Sequence, residues 1–285
     1  MEFEPCAPLK PYIRCFWGSR NIVSQKQNIA ESYGIVIPDT CMDIIFTADY
    51  TNNCLESSFC GIDDHSFVNY QNNKKKKTYF VFAIRFYAWG AFLFAQESMR
   101  SSKNAFFDAD CHFPKIKKEI ERCLFDTTDM KQLISTAEKL LLNLYCEKKE
   151  TNLLFQAASK ILQTKGTLSI TDLTQDILVS SRQLERLFLE LIGISPKSFS
   201  AIVRYQYLWN ELLYENHFNI ADAVYKYGYS DQAHLCHDFK KYHSMNLSDA
   251  KKFALQNVGN IQDNSLLAQY NKQRNNNLTK TVTIL

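Results

Sequence analysis

Four side chains with metal-binding or thiol chemistry fall within ten residues of the stretch YKYGYSDQAHLCHDFKKYH: His234, Cys236, His237 and His243. Imidazole nitrogen and thiolate sulfur are zinc ligands, and a closed structural site needs four in a tetrahedron. Helical spacing disfavours that here. On a helix begun near Ser230, His234 and His237 share a face, whereas Cys236 lies about 100° round from His237 and His243 sits six positions beyond it. No carboxylate completes the shell, so no metal is expected. The same outward side chains suit a second chemistry. Arg donates two hydrogen bonds to guanine, Gln pairs with adenine, and small residues let a helix approach the base edges of the major groove.

Other reactive types are scattered. Nine cysteines occur with no CxxC spacing, a pattern that favours reduced, buried thiols over a disulfide framework. A cysteine-based redox or alkylation sensor is the alternative, using Cys6 and Cys15 or the pair Cys54 and Cys60. Its thiolate needs a cationic neighbour, and Arg14 stands beside Cys15. No Ser/His/Asp triad, Gly-rich phosphate loop or HExxH motif is present, so neither an enzyme nor a cofactor is expected. Arg85 interrupts the apolar run YFVFAIRFYAWGAFLFA. With Trp17 and Trp89, and with Tyr33, Tyr79 and Tyr87, it is a candidate for lining a ligand pocket; its anionic partner is either Asp43 or a ligand.

The elements that must position these groups change character along the chain. The 285 residues allow two domains of ordinary size. YIRCFWGS, YGIVIP, MDIIFT, SFCGI and YFVFAIRF, all in the first ~110 residues, read as short strands rich in aromatic and β-branched residues. The run from Tyr79 to Ala95 is too short and too interrupted to span a bilayer and reads as a buried strand followed by a helix. From Lys115 onward apolar residues recur at helical spacing. The expected class is therefore α+β: a β-rich domain over 1–146 closed by helices, an all-α domain over 151–254, and a polar, poorly ordered tail over 255–285. NNKKKK at 72–77 reads as a solvated loop. The start MEFEPCAPLK lacks the basic and apolar segments of an export signal, so a cytoplasmic protein with no membrane partner is expected. A net charge of +3 announces no partner by itself.

Within 151–254 a helical pattern occurs twice. Ile170, Leu173 and Ile177 are followed by Ser180, then by Leu184, Leu187, Phe188 and Leu191; Ile220, Ala223, Val224 and Tyr227 are followed by Ser230, then by Leu235, Phe239 and Tyr242. The offset is 50 residues up to the serine and 51 after it. Ser180 and Ser230 are placed to cap the second helix of each pair. Between the pairs, Ser195-Pro196 opens one long helix of about 16 residues, roughly 24 Å.

SSRQLERLFLELIGISPKSFSAIVRYQYL followed by IADAVYKYGYSDQAHLCHDFKKY resembles the DNA-binding domain of AraC/XylS-type transcription regulators, two helix-turn-helix units joined by a long helix. The front region, through PLKPYIRCFW, IPDTCMDIIF, SFCGI and AIRFYAWGAFLF, is similar to the N-terminal domain of a subgroup of that family. The resemblance places Ser181, Arg182, Glu185 and Arg186 on the base-facing side of a first recognition helix, and Gln232, Ala233, His234, Cys236 and His237 on that of a second. Lys197, Arg204, Lys240 and Lys241 are expected to meet phosphates. Leu178 stands where the family has a turn glycine, which predicts a looser first turn. Ser244-Met245-Asn246-Leu247 replaces the usual G-x-S/T-P, and His237 stands where Arg is common. The implied partners are double-stranded promoter DNA, a small-molecule effector, RNA polymerase if the protein activates, and a second copy if it dimerises. A non-DNA protein-interaction module is the reading in which the outward faces are spectators.

Overall fold

The computed structural model describes residues 1–22, 33–70, 78–146, 150–215 and 217–256. NNKKKK at 72–77 and nearly all of the 255–285 tail lie outside the described residues. The first part is a sheet. Strands β1 (Glu2–Phe3), β2 (Ile13–Ile22), β4 (Cys41–Asp49), β5 (Cys54–Cys60), β7 (Thr78–Tyr87) and β8 (Phe106–Asp108) pair antiparallel in the order β1-β2-β7-β4-β5-β8, while β3 (Tyr33–Val36) and β6 (Phe67–Tyr70) form a separate ribbon. The five strands expected from composition are all present. β1, β6 and β8 are two to four residues long and exist because a neighbour supplies the ladder, so composition alone does not announce them.

Alternation along the strands sets up the core. Met42, Ile44 and Phe46 on β4 pair with Phe86, Ile84 and Phe82 on β7, and Phe16 pairs with Ile84, giving one continuous apolar face. Phe82 stacks at 6.1 Å from both Phe16 and Phe46. On the other face, Cys15, Arg85, Asp43 and Cys60 form one lateral row across four strands. The run beyond β7 does not continue as the expected α-helix: Ala91–Leu93 make a single 3-10 turn. Ala91, Phe92, Leu93 and Phe94 are all buried, and a segment apolar on every side is shaped by what it packs into rather than by helical amphipathy.

Helices follow. α1 (Pro114–Asp126) and α2 (Met130–Leu144) pack together through Ile116, Ile120, Leu124, Leu133, Ala137 and Leu141; then come α3 (Glu150–Gln163), α4 (Ile170–Asp176), α5 (Ser181–Leu191), α6 (Pro196–Tyr214), α7 (Ile220–Lys226), α8 (Gln232–His243) and α9 (Leu247–Gln256). The architecture is α+β, as expected. Among the described residues no helix is long and apolar enough to cross a membrane.

Candidate nucleic-acid interface

The two helix pairs, α4–α5 and α7–α8, repeat in detail. Ser169 caps α4 and Asn219 caps α7, accepting from Asp172 N (3.1 Å) and Ala221 N (2.8 Å). Ser180 caps α5 by accepting from Gln183 N at 3.2 Å, as the sequence predicts. The cap of α8 differs from expectation: Asp231, not Ser230, accepts from His234 N, at 2.7 Å. A carboxylate suits the positive end of a helix better than a hydroxyl does. Ser230 instead donates to Asp231 Oδ2 (3.0 Å) and lies 3.1 Å from His234 Nδ1. The extra residue of the second copy is thereby absorbed at Ser230.

The turns are alike too. Leu178 N bonds Gln175 O and Val179 N bonds Thr174 O; fifty residues on, Gly228 N bonds Tyr225 O and Tyr229 N bonds Val224 O. Leu178 adopts φ 55° and Gly228 φ 65°. The first turn is therefore not looser for lack of glycine. The packing of α4 on α5, the helices that flank the turn, holds Leu178 in the left-handed region, which costs about 1–2 kcal/mol for a residue with a side chain.

Leu184, Leu187 and Phe188 bury one face of α5, and Leu235, Phe239 and Tyr242 one face of α8. Ser181, Arg182, Glu185 and Arg186 are exposed on the first, and Gln232, Ala233, His234 and His237 on the second, with Cys236 half-buried. Lys197, Lys240 and Lys241 are also exposed. Arg204 departs from the expectation of a free phosphate contact. Its guanidinium lies 4.5 Å from the centre of the Tyr229 ring and 3.5 Å from Asp238, with side chains only 20% and 16% exposed. Tyr229 Oη also donates to Asp238 (3.1 Å), so Arg204 ties α6 to α8 from the inside. Between the pairs α6 runs 19 residues, longer than expected, capped by Ser195 with Pro196 at its first position.

The four candidate metal ligands are not brought together. His243 is buried, its Nδ1 2.7 Å from Tyr205 Oη and its ring stacked on Phe239 at 5.1 Å, while His234 and His237 face out. Burial holds the His243 imidazole down at about 4, in the neutral form. Among the described residues no group of three or more His, Cys, Asp or Glu is placed to hold a metal.

The thiols are poorly arranged for sensing. Burial pushes Cys15 and Cys60 up to about 12, and burial together with Glu138 raises Cys6, the opposite of what a reactive thiolate needs. Cys54 and Cys60 stand at opposite ends of β5, roughly 20 Å apart at 3.3 Å per residue, so they form no pair within the chain.

Arg85 finds its partners inside the fold. Nη1 donates to Asp43 at 2.9 Å and Nη2 to Asp39; Trp17 Nε1 donates to Asp43 at 2.8 Å. Burial pushes the Asp43 carboxyl up, while Arg85 and the Trp17 N–H pull it back. Trp89 sits elsewhere, stacked on Tyr87 at 4.7 Å and donating to Pro11 O at 3.0 Å. Of the three ligand candidates, Arg85 and Trp17 share one cluster and Trp89 belongs to the packing.

Sequence reading missed how the front part holds both units. Met99 and Ser102 press against Gly193, the turn after α5; Arg100 Nε donates to Glu190 at 2.6 Å, and Ser98 Oγ to Glu190 O at 3.2 Å. Fifty-one residues on from Gly193, Ser244 accepts from Ser66 Oγ at 2.9 Å, and Ser66 N donates to Tyr242 O at 2.9 Å. Asp64 joins the two loops, bonding Asn104 at 2.9 Å and Lys103 at 2.6 Å. QESMRSSKN carries no periodicity, so nothing in the sequence marks it as a contact segment.

Two helix-turn-helix units on one long helix, behind a β-rich front, define a DNA-binding transcription regulator. Residues 173–252 match a family model described as a helix-turn-helix domain, and residues 1–108 match one described as a domain of unknown function (DUF6597). The chain carries an AraC-type helix-turn-helix domain at its C-terminal side. No curated protein matches the chain. Among solved structures it is similar to ToxT from Vibrio cholerae bound to (E)-4-(8-methylnaphthalen-1-yl)but-3-enoic acid, at 11% identity and TM-score 0.40, covering 83% of this chain and 98% of that one. An unsaturated fatty acid-bound ToxT from the same organism matches at 10% identity and TM-score 0.37, covering 79% and 96%.

Proposed function

We propose that α5 and α8 are the reading helices of a sequence-specific regulator that grips promoter DNA in two successive major-groove segments. The observation that carries this is the repeat: two turns of the same geometry 50 residues apart, each followed by a capped helix with one apolar and one polar face. Ser181, Arg182, Glu185 and Arg186 would meet bases from α5, and Gln232, Ala233, His234, Cys236 and His237 from α8. Glu185 has a place there as an acceptor from a cytosine amino group. Lys197, Lys240, Lys241 and the helix N-termini would meet phosphates. α6, 19 residues and so about 28 Å long at 1.5 Å per residue, joins the two pairs and is comparable in length to the ~34 Å of one helical turn of DNA. The division into a front domain over 1–146 and a DNA-binding domain over 151–254 belongs to the same proposal.

The finer part concerns control. The front half touches both units at equivalent turns, at Gly193 and at Ser244, and so has a direct route to their relative placement. A small-molecule effector would act there by binding DNA-competent and incompetent arrangements with different affinity. An activator would pass the result to RNA polymerase, and a homodimer would present two such readers to DNA.

Selection of bound duplexes from a randomised pool by the full chain, followed by footprinting, tests the reading. Two protected segments about 10 base pairs apart are expected. Replacing Arg182 and Arg186 together by Ala should weaken binding at least about tenfold and relax preference in one segment only. Failure to enrich any sequence would favour a protein-interaction module instead.

A further inference from the structure

We propose that Arg100, a residue of the β-rich front part, belongs to the DNA contact surface and continues the α5 face toward the phosphate ridge. The inference rests on α5 being a DNA reader. Arg100 borders an open groove of about 560 Å³ whose remaining wall is the exposed face of α5, including Arg182, Gln183, Glu185, Arg186 and Leu189.

Geometry says what lies at that end of the helix. α5 is 11 residues, roughly 16 Å long, and a major groove is about 12 Å wide, so a helix with its first turns on base edges carries its last turn out to the flanking backbone. Glu190 sits in that last turn, where its carboxylate alone would repel phosphate. Arg100 Nε binds it at 2.6 Å and cancels the charge. Among the described residues the guanidinium makes no other bond, so both Nη groups stay free to donate, and the side chain is 54% exposed.

The segment bearing Arg100 is fixed rather than loosely draped. Met99, Ser102 and Ile192 are fully buried, and a Cβ on Gly193 would run into the Met99 carbonyl oxygen and Ser102 Oγ. A contact packed like a core moves with α5 as one body. Arg100 is thereby a permanent feature of the α5 surface, and not a strap that must leave before DNA enters.

The test uses the full chain and a fluorescent 30-base-pair duplex pool of random sequence, titrated over a salt series. Phosphate contacts act without sequence preference, so no operator is required. Arg100→Ala is expected to weaken binding about three- to tenfold at low salt and to lower the salt slope by about one, with Arg100→Lys restoring the slope. Thermal unfolding checks that both variants fold; the exposed pair with Glu190 is worth little to stability. If Arg100→Ala binds as tightly as the parent, or more tightly, the proposal falls and the segment is a spectator or an inhibitory strap. If the Arg182→Ala, Arg186→Ala double variant is equally silent, or the parent binds no duplex, the reading of α5 falls with it.

Discussion

Gly193 and Ser244 stand 51 positions apart and hold the same left-handed backbone conformation, φ 85° and 60°, within two residues of the ends of α5 and α8. Each copy of the repeat thus needs two left-handed residues, Leu178 and Gly193 in the first and Gly228 and Ser244 in the second. Glycine fills one of the two in each copy, and not the equivalent one. At Gly193 the choice is forced, because Met99 and Ser102 leave no room for a side chain.

Leu178 therefore carries strain without return: it is 91% exposed and packs against little. Leu178→Gly is expected to raise stability by about 0.5–1 kcal/mol, the relief of the left-handed strain less the entropy of the freer unfolded chain. Gly193→Ala should lower it by about 2 kcal/mol or more, since steric conflict adds to the strain. Urea unfolding midpoints decide both, and an unchanged midpoint for Gly193→Ala would show that the front half does not press on this turn.

Arg204 separates a structural from a phosphate-binding role. Held over Tyr229 and beside Asp238, it should cost about 1–3 kcal/mol of stability when replaced by Ala, through lost cation–π and ionic contact. The salt slope of DNA binding should stay where it was. A slope lower by about one with stability intact would return Arg204 to the phosphate contacts.

His243 predicts a pH dependence with a definite sign. Its imidazole titrates near 4 when folded and near 6.5 when unfolded, so between those values the unfolded chain holds more protons. Stability is then complete above about 6.5 and falls as the pH drops toward 4, by on the order of 3 kcal/mol in all. His243→Phe should flatten the stability profile in that window, at some loss of stability overall because Tyr205 Oη loses its partner. An equally steep profile in the variant would assign the dependence to other groups.

Arg85 tests whether the front cluster is architecture or a ligand site. It is flanked by Asp39 and Asp43, and removing it leaves two buried carboxylates without their cation. Arg85→Met is expected to destabilise the protein by about 3–5 kcal/mol. A variant that unfolds at the parental temperature but binds DNA independently of added anions would point to an anionic effector instead.

The sequence by itself determined the class of this protein. Strand composition, the change of period near Lys115, and the doubled apolar pattern over 151–254 depend on local spacing, which the folded chain obeys: the five expected strands and both helix pairs are present. Ser180 and Ser195 are legible as caps for the same local reason. Tertiary structure alone decided the rest. Ser230 yielded its cap to Asp231 because an inserted residue had to be absorbed somewhere. Leu178 took a glycine's conformation because the packing of α4 on α5 fixes the turn. Arg85 and Arg204 turned inward because carboxylates distant in sequence, Asp39, Asp43 and Asp238, lie beside them in space. Arg100 reached the end of α5 for the same reason: Arg100 and Glu190 are 90 residues apart, and no periodicity in either segment encodes which surfaces the fold brings into contact.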